Sequence, residues 1–163
     1  MDGERPAPHF DHYLAKLGTD RPLQVAVMGH LVIERLLEEL IKTQLRCPCA
    51  LDIDRLRFLQ KVDLCIALGA LPDRFRPACR RLNTLRNRFS HDLGYSVKFE
   101  ETMAWADEVL AQGIGDCGPT VMEELKSAEE TRDAELALIM IVGSLHEELV
   151  RRLADLGGPD YSW

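Results

Sequence analysis

Between residues 82 and 95 the chain reads LNTLRNRFSHDLGY, and the run Arg86-Asn87-Arg88-Phe89-Ser90-His91 places two guanidinium groups, an amide, a hydroxyl and an imidazole within six positions. An imidazole can give or take a proton near neutral pH, and a planar guanidinium fork suits a phosphate or carboxylate. The same residues can equally finish a polar helix end. Leu82, Leu85 and Phe89 recur three and four apart, so the run lies on an amphipathic helix with one core face, and Gly94 reads as its stop signal.

That helix constrains what the run can do. Five residues separate Arg86 from His91, about 140° of rotation and roughly 7.5 Å of rise on a regular α-helix. The two side chains therefore diverge, with Arg86 nearer the Leu82, Leu85 and Phe89 side. Asn87 and His91, at i and i+4, share a face. His91 falls in the last turn, at the negative end of the helix dipole. One such helix is a poor clamp for one phosphate unless it loosens near Gly94 or a second copy of the chain completes the site.

Charge is concentrated around the run. Arg74, Arg76, Arg80, Arg81, Arg86 and Arg88 fall within fifteen residues with no acid between the first and the last. They form either an anion-facing patch or a solvated face paired with acidic neighbours. The net charge of −7 argues against a protein that grips nucleic acid over its whole surface, so an anionic ligand must use such a local patch. Arg86 has a structural alternative as well, a buried cation paired with Glu34.

The elements that position these residues are helical. Phe10 to Leu17 suggests a short helix ended by Gly18. From Leu23 to about Leu45 the residues Ala26, Val27, Leu31, Leu36, Leu37, Leu40 and Ile41 keep helical spacing. Asp52 or Asp54 is placed to cap a helix that runs through Ala70, and Leu71-Pro72-Asp73 leads into the arginine helix, expected to reach about Leu93. Tyr95 to Phe99 reads as an extended linker. Glu100 to Gln112 is helical, with Met103, Ala106, Val109 and Leu110 inward. Gly113 to Pro119 is a loop, and a last helical region runs from about Val121, or restarts near Thr131, to the Gly157-Gly158-Pro159 stop. The expected fold class is all-α, an antiparallel bundle of about five to six helices with short connections.

The 163 residues, 46% of them apolar, suit a single domain spanning 1–163. Its expected parts are an N-terminal extension over 1–20, a core over about 23–112, C-terminal helices over 119–157 and a tail over 158–163. No stretch reads as a leader or a membrane span, which points to a soluble cytoplasmic protein. Five cysteines, Cys47, Cys49, Cys65, Cys79 and Cys117, give an odd count, and reduced thiols are expected. Cys47-Pro48-Cys49 lacks a second ligand pair at zinc-finger spacing, and the cluster of His9, Asp11 and His12 sits near the terminus, so no metal is assigned. His30 and His146 read as hydrogen-bonded core or boundary residues. Phosphate-loop and serine-hydrolase signatures are absent.

The spacing Arg-x4-His, with Asn directly after the Arg, resembles the motif of HEPN domains, compact helical domains of prokaryotic toxins, defence nucleases and their inactive relatives. The order GHLVIERLLEEL, a second helix, LGALPD and LNTLRNRFSHD resembles the HEPN layout over roughly residues 23–112. What this implies is RNA cleavage without a metal or other cofactor, at a site where two protomers of a homodimer meet. Arg86 would hold the scissile phosphate, Asn87 would assist and His91 would transfer the proton, with Glu34, Ser90 and Arg88 in support. The patch of Arg74, Arg76, Arg80 and Arg81 would contact RNA. RNA carries its own nucleophile, the 2′-hydroxyl, so a proton-transfer group and a cation satisfy the chemistry. The resemblance further implies an antitoxin or nucleotidyltransferase as partner protein and no membrane partner.

The second reading is a non-catalytic helical regulator or adaptor. The "LR…HD" helix also resembles the mannitol operon repressor family. A metal or small-molecule carrier resting on Cys47 and Cys49 ranks last.

Overall fold

The computed structural model describes residues 22–91, 95–115 and 119–159. These form six α-helices: α1 (Pro22–Gln44), α2 (Phe58–Ala67), α3 (Phe75–His91), α4 (Phe99–Ala111), α5 (Pro119–Thr131) and α6 (Ala134–Asp155). Two single 3₁₀ turns, Pro48–Ala50 and Ile53–Arg55, link α1 to α2, and no strand occurs among the described residues. The protein is an all-α helical bundle.

The long helices α1 and α6 make the most extensive pairing, and α4 and α5 pack on α6 while α2 and α3 pack on α1. Leu36, Leu37, Leu40 and Ile41 of α1 and Leu138, Val142, Leu145 and Leu149 of α6 are fully or almost fully buried, the stripe that 3.6-residue periodicity demands. Gly29 permits a close approach of these two helices: a Cβ there would lie 2.6 Å from Val142 Cγ1. α3 buries Phe75, Ala78, Cys79, Leu82, Leu85 and Phe89, which leaves Arg88, Ser90 and His91 of its polar run exposed and Arg86 and Asn87 half-buried.

Several boundaries differ from expectation for local reasons. Asp52 pairs with Arg55 at 2.8 Å and makes no capping bond, and Asp54 lies inside the 3₁₀ turn, so neither caps α2. That helix begins at Phe58, where the Arg57 backbone N–H donates to Gln60 Oε1 at 2.9 Å. It stops at Ala67 rather than Ala70, because Gly69 adopts φ +75° and the N–H groups of Ala70 and Leu71 both turn back to the Cys65 carbonyl. Of the two expectations for the last helical region, the restart near Thr131 is the one observed: Asp133 Oδ1 accepts from the backbone N–H groups of Glu135 and Leu136, which starts α6 afresh. In α4 the inner residues are Thr102, Trp105, Ala106 and Val109, with Met103 and Leu110 only half-buried. α3 is described to His91. The expected helix at Phe10 to Leu17, the His9, Asp11 and His12 cluster and the residues around Gly94 lie outside the described residues.

Candidate functional site

α3 presents three different surfaces, each set by helical phase. Toward α1 and α2 it presents Asn83 and Arg86. His30 of α1 is buried at this junction: its Nε2 donates to Asn83 Oδ1 at 3.2 Å, its ring stacks on Phe58 with centroids 4.1 Å apart, and Nδ1 lies 3.8 Å from Glu34 Oε2. Burial lowers the His30 pKa below its ordinary value; Asn83 and Glu34 oppose that shift, and the positive charges of Arg86 and Lys61 add to it. The imidazole is therefore neutral at pH 7. The proposed Arg86–Glu34 ion pair does not form. Glu34 is taken by Lys61 of α2, whose Nζ bonds Glu34 Oε1 and Glu38 Oε1, each at 2.7 Å. Burial disfavours the Lys61 charge, but the two carboxylates outweigh it and its pKa is raised.

The second surface is the outer stripe of α3. Arg80, Thr84, Asn87 and His91 follow one another at four, three and four residues and so line up along the helix. Arg80, Thr84 and His91 are exposed and Asn87 is half-buried. Arg86 Nη1 donates to Asn87 Oδ1 at 3.1 Å. The guanidinium thus curls from the α1 side toward the stripe, and Asn87 stands between the two charged groups of the motif. Ser90 donates its hydroxyl to the Arg86 carbonyl at 3.0 Å, a bond within the helix.

The third surface is a groove of about 620 Å³ between α3 and α4, walled by Arg76, Arg80, Arg81 and Arg88 and floored by Leu85, Tyr95, Val97 and Trp105. Arg76 pairs with Asp63 and, at 3.0 Å, with Asp73; Arg81 lies 3.0 Å from Glu108 and Arg88 3.7 Å from Glu101. Arg80 has no carboxylate at ion-pair distance among the described residues. Arg88 also reaches the Tyr95 hydroxyl at 3.4 Å and lies 5.7 Å from the centre of its ring. Trp105 is buried, and its indole N–H has no acceptor among the described residues. Arg74 does not join this wall. It approaches the buried Glu148 of α6 at 3.9 Å, a carboxylate also paired with Arg151 and Arg152.

The structure places Arg86, Asn87 and His91 in the C-terminal half of α3 and runs the groove cations Arg88, Arg81, Arg80 and Arg76 back along that helix to its first turn, while Arg74, just before the helix, turns to α6 instead. Glu34 belongs to the His30 and Lys61 junction. Sequence reasoning missed Lys61, Asn83 and Trp105. The first had a signal, since Lys61 falls three residues after Phe58 and next to Val62 on the core face of α2. Among the described residues no three His, Cys, Asp or Glu side chains cluster in a metal-ligand arrangement, and no helix is long and apolar enough to cross a membrane. Comparison with protein-family models, with curated proteins and with solved structures finds no match.

Proposed function

We propose that the protein is a HEPN-like, metal-independent endoribonuclease acting in the cytoplasm, with Arg86, Asn87 and His91 as its catalytic group. The observation that carries this reading is the Arg86–Asn87 hydrogen bond, which draws a guanidinium toward the face that His91 occupies. In the reaction the RNA 2′-hydroxyl gives its proton to solvent and attacks the adjacent phosphorus, and the bond from phosphorus to the 5′-oxygen breaks. Arg86 balances the charge that builds on the phosphorane oxygens, and His91 gives a proton to the departing 5′-oxygen. Asn87 holds the guanidinium. The exposed position of His91 at the end of α3 leaves it open to a strand and to a second copy of the chain, and the arginine-walled groove supplies an adjoining track for the backbone. A toxin or defence role with a restraining antitoxin or nucleotidyltransferase partner fits this activity.

The test is cleavage of RNA in EDTA. The expected products are a 2′,3′-cyclic phosphate and a 5′-hydroxyl, and His91→Ala abolishes them while leaving the circular dichroism spectrum unchanged. Activity that vanishes with chelator and returns with magnesium would overturn the mechanism.

One observation favours the second reading, a non-catalytic regulator or adaptor. Three of the four groove arginines already face carboxylates, which blunts the attraction of this surface for an RNA strand. On that reading RNA is neither cut nor retained in a mobility-shift assay at low salt.

A further inference from the structure

Cys47 and Cys49 take no part in the site on α3. They flank Pro48 in the turn after α1, both thiols are exposed, and their sulfur atoms lie 3.3 Å apart. The contrast with the other described cysteines is chemical. Cys65 and Cys79 are buried, and burial pushes each thiol up to about 12, with Cys79 adding to the shift at Cys65. Those two stay protonated and shielded, whereas the pair on the turn is open to reagents in solution.

The geometry around the pair suits ring closure. A disulfide bond spans about 2.05 Å, so the sulfurs need approach by only about 1.2 Å, within reach of side-chain rotation. Pro48 holds the intervening backbone, and none of the residues Pro48–Ala50 is buried, so closure disturbs no core packing. Beside Cys49 lies a hollow of about 430 Å³ whose wall includes Arg35, Lys42, Asp52 and Asp54. It leaves room for a small disulfide to approach, and its two cations and two acids select no net charge.

We propose that Cys47 and Cys49 form a redox-active dithiol that closes reversibly by exchange with a low-molecular-weight disulfide of the oxidised-glutathione type. One thiolate attacks a sulfur of the incoming disulfide, forming a mixed disulfide and releasing one small thiol. The second cysteine, as thiolate, attacks the protein-bound sulfur and releases the other small thiol. Two protein thiols are oxidised, one small disulfide is reduced to two thiols, and the two protons pass to the products or to solvent. This chemistry is independent of RNA cleavage.

The test uses the full chain with Cys117→Ser, so that exchange is confined to the described thiols. The protein is incubated with oxidised glutathione, alkylated without reduction and cleaved with trypsin. Arg46 and Arg55 bracket a single peptide, Cys47 to Arg55, that holds both cysteines. The expected peptide is unalkylated, lighter by two hydrogens and restored by dithiothreitol. The Cys47→Ser and Cys49→Ser variants should each stop at one bound glutathione on the remaining thiol, which traps the first step. Two alkylated cysteines after oxidant, two glutathiones retained side by side, or a bond to another chain in place of the internal one would each overturn the proposal.

Discussion

Arg86 donates from Nη1 to Asn87 Oδ1 at 3.1 Å, so the cation of the polar run is held by the residue that follows it in sequence. This contact modifies what helical phase alone dictates. Arg86 and His91 leave α3 about 140° apart, yet a long guanidinium can swing back toward the face that Asn87 shares with His91. Asn87 is in this view a positioning residue, and its worth lies in where it keeps Arg86.

Asn87→Ala should therefore lower kcat on RNA by about 100-fold while KM changes little, because a cation displaced by about an ångström no longer meets the developing phosphorane charge. Asn87→Asp should restore part of the rate by still accepting from Arg86. Equal losses in both variants would mean that the amide acts in some other way. Steady-state cleavage alongside circular dichroism decides between them.

Arg86→Lys should keep the fold and lose most activity, because an ammonium cannot reproduce the fork. The structural alternative expected of this arginine, a buried pair with Glu34, predicts instead that Arg86→Ala unfolds. With Glu34 bonded to Lys61, Arg86→Ala should stay folded, with a melting temperature within a few degrees of the parent.

Lys61, unlike Arg86, is a residue whose loss should destabilise the fold. It is 2% exposed and bonds two carboxylates of α1. Lys61→Ala leaves Glu34 without its cation and Glu38 with Arg35 alone, at 3.1 Å, and should cost about 3 kcal/mol in urea unfolding. Adding Glu34→Gln and Glu38→Gln should return part of that loss, and a triple variant no more stable than Lys61→Ala would count against the ion triad.

Which features were legible in the sequence follows from how local their causes are. α1 and α3 could be read as helices because most of their apolar residues keep one spacing, although Leu31 of α1, expected on that stripe, is exposed and Val27 is half-buried. The α5–α6 break near Thr131 was legible as one of two alternatives, and what decides for it, the cap by Asp133, depends on backbone geometry that no periodicity reports. Trp105 escaped because Met103 and Leu110 suggested a face slightly rotated from the real one. The Glu34 partner escaped for a different reason: two cations, Arg86 and Lys61, were available to it, and only the packing of α2 against α1 decides which arrives. The site run itself was visible, but the Arg86–Asn87 contact that gives it shape is a side-chain conformation and not a spacing.

His30 makes stability depend on pH. Its folded pKa is lowered, so above the unfolded value of about 6.5 both states are neutral and the junction is intact. As pH falls below that value the unfolded chain binds a proton that the folded protein resists, and stability is lost until the folded pKa is passed. Urea unfolding should show a lower midpoint at pH 5 than at pH 7, with a smaller difference in His30→Gln. An unchanged difference in that variant would assign the acid sensitivity to other groups.

The divergence of Arg86 and His91 also makes a prediction about assembly. If each phosphate is held by groups from two chains, Arg86→Ala and His91→Ala proteins are each inactive as homodimers, for different reasons. A heterodimer of the two variants still contains one composite site with an intact arginine from one protomer and an intact histidine from its partner. Random exchange in an equimolar mixture makes half of the dimers mixed, each with one of two sites complete, so activity should rise to about a quarter of the wild-type value. The recovery should grow at the rate of subunit exchange, measured independently by energy transfer between labelled chains. Complete exchange with no recovery, or a monomer by light scattering, would place the whole catalytic group on one chain or remove it altogether. In the first case wild-type cleavage persists without dimers; in the second no variant or mixture cuts RNA, and the regulator reading takes its place.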